Sequence, residues 1–331
     1  MTRKIIALFF LLLPALLLRA QDPHFSQYYT QPQLLNPAAT GYFSCDYRLT
    51  ADYRSQWVSV PVPYNTFTAS ADMRVVNGHG KKNIIGVGFF ALSDKAGDSQ
   101  FSTNQFGASF SVLKNLDHFG IQYLGGGLQL AYGMEQIDYK NLNFQDAFQN
   151  HSATAEPGNS TANFFDVSLG GFYSYALDER RSIQVGAAGF HLNEPTSSFF
   201  GNSSSKIYRK YIIHASGNYM LNPNMDLYPK FYVALQGPYK PEINFGGFVR
   251  INLDHFRTSK YGVYVGTWYR WNDALIPTLR MDINKVSVGF TYDVNVSQLK
   301  TASVSKGGPE LSLIYIACGN HKKSGIECPR F

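Results

Sequence analysis

Residues 21–57 read QDPHFSQYYTQPQLLNPAATGYFSCDYRLTADYRSQW, and this stretch decides the fold. Its first half contains Pro23, Pro32 and Pro37, each of which fixes φ, lacks a backbone donor and disfavours helix in the residue before it. This half is therefore predicted to be irregular. From Tyr47 onward apolar side chains alternate with polar ones, which is the period of a β-strand. One face of that strand suits lipid and the other suits water.

The composition favours a protein whose outer surface meets an apolar medium. Aromatic residues make up 15% of the chain and charged residues only 16%, whereas about 25% of residues are charged in soluble domains. The net charge of +6 is spread in ones and twos, so there is no basic stripe and no nucleic-acid partner is predicted.

The chain begins with the pattern of a secretory signal peptide. A positive start at Arg3 and Lys4 is followed by an apolar core over residues 5–18. Beyond this leader no apolar run approaches the ~20 residues that a spanning helix needs, which excludes a helical membrane protein. We predict a signal peptide over residues 1–20, followed by one outer-membrane barrel domain over residues 21–331.

The alternation of residues 47–57 recurs along the whole mature chain. In residues 64–75, for example, apolar and polar side chains again alternate over the ~9–11 residues of a tilted membrane strand. The predicted fold is all-β, a transmembrane antiparallel β-barrel of about 14 strands over residues 43–318. An N-terminal irregular segment, residues 21–42, precedes it, and a tail, residues 319–331, follows.

The predicted connections alternate in length along the chain. Every second one is short, and four of the others are long. Bacterial barrels of this kind have short periplasmic turns and longer extracellular loops, so both termini are predicted to lie in the periplasm. The longest gap, residues 133–162, is predicted to be a flexible loop or a partner-binding element, and contains an apolar thread that suits a short amphipathic helix.

The lead of the mature chain holds too many apolar residues for a loose tail and too many prolines for a helix. We therefore expect residues 21–42 to pack inside the barrel or across its periplasmic mouth. A run of three glycines, Gly125, Gly126 and Gly127, lies in the middle of a predicted strand. These glycines are predicted to mark tight curvature or the close approach of another backbone inside the lumen.

Charged residues on the polar parity are predicted to face the lumen, where they either cross-brace a plug or line a pore. Arg54 and Arg270 belong to this set, whose other members are Arg48, Asp52, Asp72, Arg74, Glu242 and Arg250. Aromatic residues at strand ends are expected to form the interfacial girdles. They are Tyr47, Trp57, Tyr132, Tyr175, Trp268, Tyr269 and Trp271.

The three cysteines do not make a disulfide framework. A disulfide between Cys318 and Cys328 would close a C-terminal loop and leave Cys45 unpaired. Three unpaired thiols are an alternative of at least equal weight.

No catalytic, cofactor or metal site is predicted. The eight histidines lie beside no nucleophile motif, and neither CxxC nor HExxH occurs. His214 with Ser216 is the single pair worth inspection, and a hydrogen-bonded structural histidine is the simpler interpretation. The chain is therefore predicted not to be an enzyme.

Seven motifs in chain order resemble one known family. The first three are DPHFSQYY at residues 22–29, NPAATG at 36–41 and YRSQW at 53–57. The others are GVGFFALSDKAG at 86–97, GTWYR at 266–270, YDVNVSQL at 292–299 and PELSLIYIAC at 309–318. Together they are similar to the PorP/SprF family of outer-membrane proteins of the type IX secretion system.

The resemblance assigns signature residues and partners. The signature residues are Asp22, Pro23, Phe25, Ser26, Gln27, Tyr28, Asn36, Pro37, Gly41, Tyr53, Arg54, Gln56, Trp57, Asp94, Gly97, Trp268, Tyr269 and Arg270. The implied role is the export and surface attachment of a secreted adhesin that carries a C-terminal sorting domain. In gliding relatives this cargo is a motility adhesin. Other secretion or gliding components and outer-membrane lipid are the remaining implied partners.

The resemblance also suggests where partners would bind. The cargo would bind residues 133–162, 194–206 and 293–309. The irregular N-terminal segment, residues 21–42, would contact the secretion or motility machinery. Two alternatives stay open, a channel for small or hydrophobic solutes and a structural link between the outer membrane and the cell wall.

Overall fold

The computed structural model describes most of the chain as one closed sheet. The described residues are 22–56, 63–77, 83–97, 100–117, 119–138, 160–178, 180–199, 201, 205–254, 260–297 and 306–318. Fourteen antiparallel strands pair in chain order, and β1 pairs with β14 to close the barrel. The predicted fold class and strand count are confirmed.

The strands are β1 Tyr47–Gln56, β2 Tyr64–Asn77, β3 Asn83–Ala96, β4 Phe101–Asn115, β5 Gln122–Gln136, β6 Thr161–Asp178, β7 Arg181–Phe190, β8 Lys210–Asn222, β9 Met225–Gln236, β10 Glu242–Asn252, β11 Tyr261–Arg270, β12 Ala274–Ile283, β13 Val286–Asn295 and β14 Lys306–Ala317. One short α-helix, α1 Pro32–Leu35, lies between two 3₁₀ turns, Tyr28–Thr30 and Pro37–Ala39. Among the described residues, no helix has the length and apolar character needed to cross a membrane.

Alternation along each strand separates an apolar outer face from a polar inner face. In β12 the side chains of Leu275, Leu279 and Met281 are exposed, whereas those of Thr278 and Arg280 are buried. An exposed apolar band around a closed sheet is stable in lipid, because closure leaves no unpaired strand edge. The outer face is therefore the membrane-contacting surface.

The two ends of the barrel differ in the length of their connections. One end, here called the turn end, carries short connections such as residues 179–180, 223–224 and 284–285. The opposite end, here called the loop end, carries the long connections, residues 137–160 and 191–209. The predicted amphipathic helix around residues 142–148 lies outside the described residues.

Two sequence predictions are corrected by the strand register. Trp268, predicted in an interfacial girdle, is fully buried inside the barrel, because its neighbour Tyr269 takes the outward parity of β11. Asp293, predicted at the start of a loop, lies within β13 and is buried in the lumen.

The cysteine pairing also differs from the candidate pair of Cys318 with Cys328. Cys45 forms a disulfide with Cys318 at the turn end, with 4.6 Å between the two Cα atoms. The register of β1 with β14 pairs Tyr47 with Ala317, and this brings the residues beside them together. Cys328 lies outside the described residues.

This disulfide should be detectable as a covalent link between the two ends of the chain. Cleavage of the protein within a central loop should leave the fragments joined on a non-reducing gel, and Cys45→Ser should separate them. Because eight residue pairs still join β1 to β14, we expect Cys45→Ser to stay folded and to lose only about 2 kcal/mol of stability. Cys328→Ser is the control and should leave the fragments joined. Separation by Cys328→Ser instead would contradict the Cys45–Cys318 bond.

Candidate functional site

Residues 22–46, here called the lead segment, run through the lumen and are mostly buried there. At the loop end, the backbone N–H of Asp22 donates to Gln236 Oε1 (3.1 Å). At the turn end the segment is held by the Cys45–Cys318 disulfide and continues into β1. The described chain thus begins and ends at opposite ends of the barrel. The prediction that both termini lie in the periplasm stays a prediction, because residues 1–21 and 319–331 lie outside the described residues.

The lead segment has little regular structure because its prolines interrupt it, so its backbone polar groups need other partners. Buried wall carboxylates supply some of them. The backbone N–H groups of Ser26 and Gln27 donate to Glu310 (2.7 and 2.8 Å), and that of Gly41 donates to Asp72 (2.8 Å). These bonds tie the backbone of the segment to the wall at two heights of the barrel.

A charge network braces the lumen around Ser26. The carboxylate of Asp293 lies 2.8 Å from Arg54 Nη2 and 2.6 Å from Arg270 Nη2, and it accepts a bond from Ser26 Oγ (2.6 Å). Glu310 lies 3.7 Å from Arg54 Nε. All four charged side chains are almost fully buried, so each charge depends on the others for compensation.

A second set of polar contacts lies between β1, β2 and the lead segment. Arg48 forms an ion pair with Asp72 (2.6 Å) and lies 4.6 Å above the ring of Phe43. Asp52 accepts a bond from Thr30 Oγ1 (2.8 Å) and another from the amide of Gln31. These contacts place the buried charges of β1 against the segment.

Aromatic stacking holds the middle of the lead segment against β9–β11. The ring of Tyr28 stacks on Tyr232 (4.7 Å between centroids), and that of Tyr29 stacks on Trp268 (5.0 Å) and meets Phe248 edge-on (5.4 Å). Aromatic pairs of this kind contribute about 0.5–1.5 kcal/mol each beyond their buried area.

Glycines of the wall make room for the backbone of the lead segment. A Cβ on Gly127 would lie 2.6 Å from the Cα of Ala38, and one on Gly86 would overlap the carbonyl of Thr40. The run of three glycines at residues 125–127 was predicted to mark either tight curvature or the close approach of another backbone. The second explanation applies to Gly127. Its neighbour Gly126 is exposed on the outer face.

A third cluster holds the start of the segment at the loop end. The carboxylate of Asp22 lies 2.9 Å from His191 Nε2 and 3.5 Å from Lys210 Nζ, and Gln236 Nε2 donates to it (2.9 Å). His191 Nδ1 lies 3.0 Å from Asp166. Burial by itself lowers the pKa of His191, but the two carboxylates outweigh this effect and raise its pKa to about 10. The imidazole is thus positively charged at neutral pH.

The structure brings many of the signature residues together in the lumen and leaves others apart. Those that meet there are Phe25, Ser26, Gln27, Tyr28, Asn36, Pro37, Gly41, Arg54, Trp268 and Arg270. Tyr53 and Tyr269 face outward, while Gln56, Asp94 and Gly97 lie towards the loop end. Pro23 is half-buried beside Asp22, and Trp57 lies outside the described residues.

The predicted lumen charges also divide. Arg48, Asp52 and Asp72 are buried against the lead segment. Arg74 donates to the carbonyl of Phe43 (2.6 Å). Glu242 and Arg250 are half-buried.

Sequence reasoning missed several lumen residues of the last strands and of β9. They are Asp226, Lys230, Arg280, Asp282, Asp293 and Glu310. The alternation of polar and apolar side chains along β9 and β12–β14, had it been followed there, would have assigned these residues to the lumen.

His214 has a structural role that the sequence left open. Its Nε2 lies 3.1 Å from the side-chain amide of Asn36, which also donates to the carbonyl of Gly171 (2.9 Å). Ser216 Oγ donates to Gln184 instead (3.3 Å). The described residues include no group of three or more His, Cys, Asp or Glu side chains that could hold a metal ion. A cavity of about 50 Å³ lies between the lead segment and β8–β9.

Comparison with solved structures shows a shared barrel fold at low sequence identity. The toluene transporter TbuX of Ralstonia pickettii superposes with a TM-score of 0.51 at 12% identity, over 86% of this chain and 92% of that one. The toluene transporter TodX of Pseudomonas putida gives a TM-score of 0.49 at 8% identity, over 88% and 93% of the two chains. The TbuX match shows that the two proteins share a barrel fold.

No curated protein matches the chain significantly. The family model described as type IX secretion system membrane protein PorP/SprF matches residues 17–315, which include the lead segment and nearly all of the barrel. The chain therefore belongs to the PorP/SprF family of type IX secretion system membrane proteins.

Proposed function

We propose that this barrel acts without catalysis in the type IX secretion system, where it supports the export and surface attachment of a secreted adhesin-like protein with a C-terminal sorting domain. Family membership supports a role beside other components of the secretion machinery. The cargo, and any part in gliding, belong to the proposal.

The observation that carries this proposal is the burial of the lead segment inside the barrel. Nearly every residue of the lead segment from Phe25 to Phe43 is buried, and its contacts reach β1, β9–β11, β13 and β14. A barrel closed by its own chain is suited to binding proteins at its ends. An open solute channel would instead need a continuous water-filled path.

The asymmetry of the connections supports an orientation in the outer membrane. If the turn end faces the periplasm, as short turns do in bacterial barrels, then the long connections face the exterior. The proposed cargo contacts are residues 133–162, 194–206 and 293–309. Of the connections within them, the described residues 137–138, 160, 194–199, 205–206 and 296–297 lie at the loop end. The start of the lead segment then also faces the exterior, while the Cys45–Cys318 bond faces the periplasm.

Affinity purification of the detergent-solubilised native protein, followed by mass spectrometry, tests the proposal. We expect near-stoichiometric recovery of a large secreted protein with a C-terminal sorting domain. In parallel, the purified barrel in liposomes should show no solute flux above that of empty liposomes. Recovery of the barrel alone together with solute flux would contradict the proposal and favour a channel for small or hydrophobic solutes. Co-purification with cell-wall-binding proteins and no secreted cargo would favour the structural link.

A further inference from the structure

Both ends of the connection between β7 and β8 contact the first described residue of the lead segment. His191 directly follows the last residue of β7, and Lys210 is the first residue of β8. Both side chains point at the carboxylate of Asp22, at 2.9 and 3.5 Å. One carboxylate inside the barrel mouth therefore joins the two ends of a long loop-end connection.

The described part of this connection is itself folded. Thr196 pairs with Lys206 in an isolated antiparallel bridge, and the backbone N–H of Ser197 donates to the carbonyl of Ser205 (2.9 Å). The N–H of Ile207 donates to the carbonyl of Pro195 (2.9 Å). The two arms of the connection are therefore coupled, and displacement of one arm would displace the other.

The bond to Asp22 is charged and lies apart from the other attachments of the lead segment. Asp166 orients the imidazolium of His191 from the opposite side (3.0 Å), so that Nε2 is left to donate to Asp22. Further along the segment, the carbonyl of His24 accepts a hydrogen bond from Arg54, and Ser26 donates to Glu310 and Asp293. Loss of the Asp22 contacts would thus loosen the start of the segment first.

We propose that Asp22 is a latch through which His191 and Lys210, at the two ends of the connection between β7 and β8, hold the start of the lead segment in the lumen. Movement of these two side chains away from Asp22 leaves Gln236 as its remaining contact and loosens that start. The latch links the connection between β7 and β8 to the interior of the barrel. A ligand that prefers the displaced connection would shift the population toward a loosened segment. This inference goes beyond the proposed function, because it requires no particular cargo.

Hydrogen exchange of the full-length protein in lipid nanodiscs, followed by mass spectrometry, tests the latch from both sides. In Asp22→Ala and in His191→Gln, amides of residues 22–30 should exchange at least about ten-fold faster, since a charged hydrogen bond is lost. Amides of residues 36–43 should keep their protection. Asp22→Glu, which retains the carboxylate, should restore part of the protection.

The matched control is Glu194→Gln. Glu194 lies in the same connection, and its side chain contacts Arg209 at the surface (3.5 Å). This variant should exchange like the unmodified protein. Unchanged exchange in Asp22→Ala would overturn the latch, and so would equal acceleration in residues 22–30 and 36–43, because the segment would then loosen as a whole. Neither result depends on whether a secreted protein is recovered.

Discussion

Asp293→Asn is expected to destabilise the barrel by about 3 kcal/mol, because it removes the carboxylate shared by two buried arginines. Of the neighbouring carboxylates, Arg54 keeps the more distant Glu310, and Arg270 keeps Asp273 at the loop end. The side-chain shape is preserved, so the loss reports charge and not packing. The free energy of unfolding in urea, measured in a lipid or detergent system where the barrel refolds, gives the effect.

The control for Asp293→Asn is Asp178→Asn. Asp178 pairs with Arg181 at an exposed strand end, where the side chains are 42% and 46% accessible. Exposed pairs contribute at most about 1 kcal/mol, so this variant should remain close to the unmodified protein. Equal losses in the two variants would show that the network around Ser26 does not brace the lumen.

Gly127→Ala is expected to displace the turn Pro37–Ala39 from the wall and to cost about 3 kcal/mol, at the upper end of overpacking effects. The new Cβ would meet backbone atoms of Pro37 and Ala38, which cannot rotate away as a side chain could. The turn is also fixed on both sides. Asn36 bonds to the wall through its amide, and Thr40 bonds to Ser109. The free energy of unfolding, together with hydrogen exchange of residues 36–41, measures both consequences.

Gly126→Ala, one residue away, is the control for Gly127→Ala. Its Cβ would lie on the outer face, 3.4 Å from the carbonyl oxygen of Gly170, which is ordinary contact. Alanine also has less conformational freedom to lose on folding than glycine, so this variant should be neutral or slightly stabilising. A similar loss of stability in both variants would mean that the strand itself requires these glycines. Contact between residue 127 and the lead segment would then be excluded as the cause.

Much of the barrel could be predicted because its signal is local. In β2 or β12, period-two alternation follows from the contrast between lipid outside and a polar lumen inside, and each strand shows it independently. The same signal misplaced Trp268, because an aromatic residue beside Tyr269 suits either a girdle or a lumen cluster. The irregular lead segment was also evident from its prolines, which act on their own backbone and their neighbours.

The partners across the lumen could not be predicted, because parity assigns a side chain to the interior but not to a position around it. Ser312 bonds to Gln27 across 285 residues of sequence, and Asp22 meets His191 across 169. Such contacts depend on the register of every strand pair and on the path of the lead segment through the closed barrel. The same holds for Cys45, whose partner Cys318 is set by the pairing of the first strand with the last.

The sequence by itself determined a membrane barrel of about 14 strands, its lipid-facing surface and an irregular start that is too apolar to be a free tail. Only the tertiary structure decided that this start runs through the lumen from the loop end to the turn end, where it is joined to β14 by a disulfide. The physical reason is that strand periodicity arises from each residue's own surroundings. The path of the lead segment depends instead on complementary charges, on aromatic rings that stack and on wall glycines that leave room for its backbone. Those groups meet only when the barrel has closed.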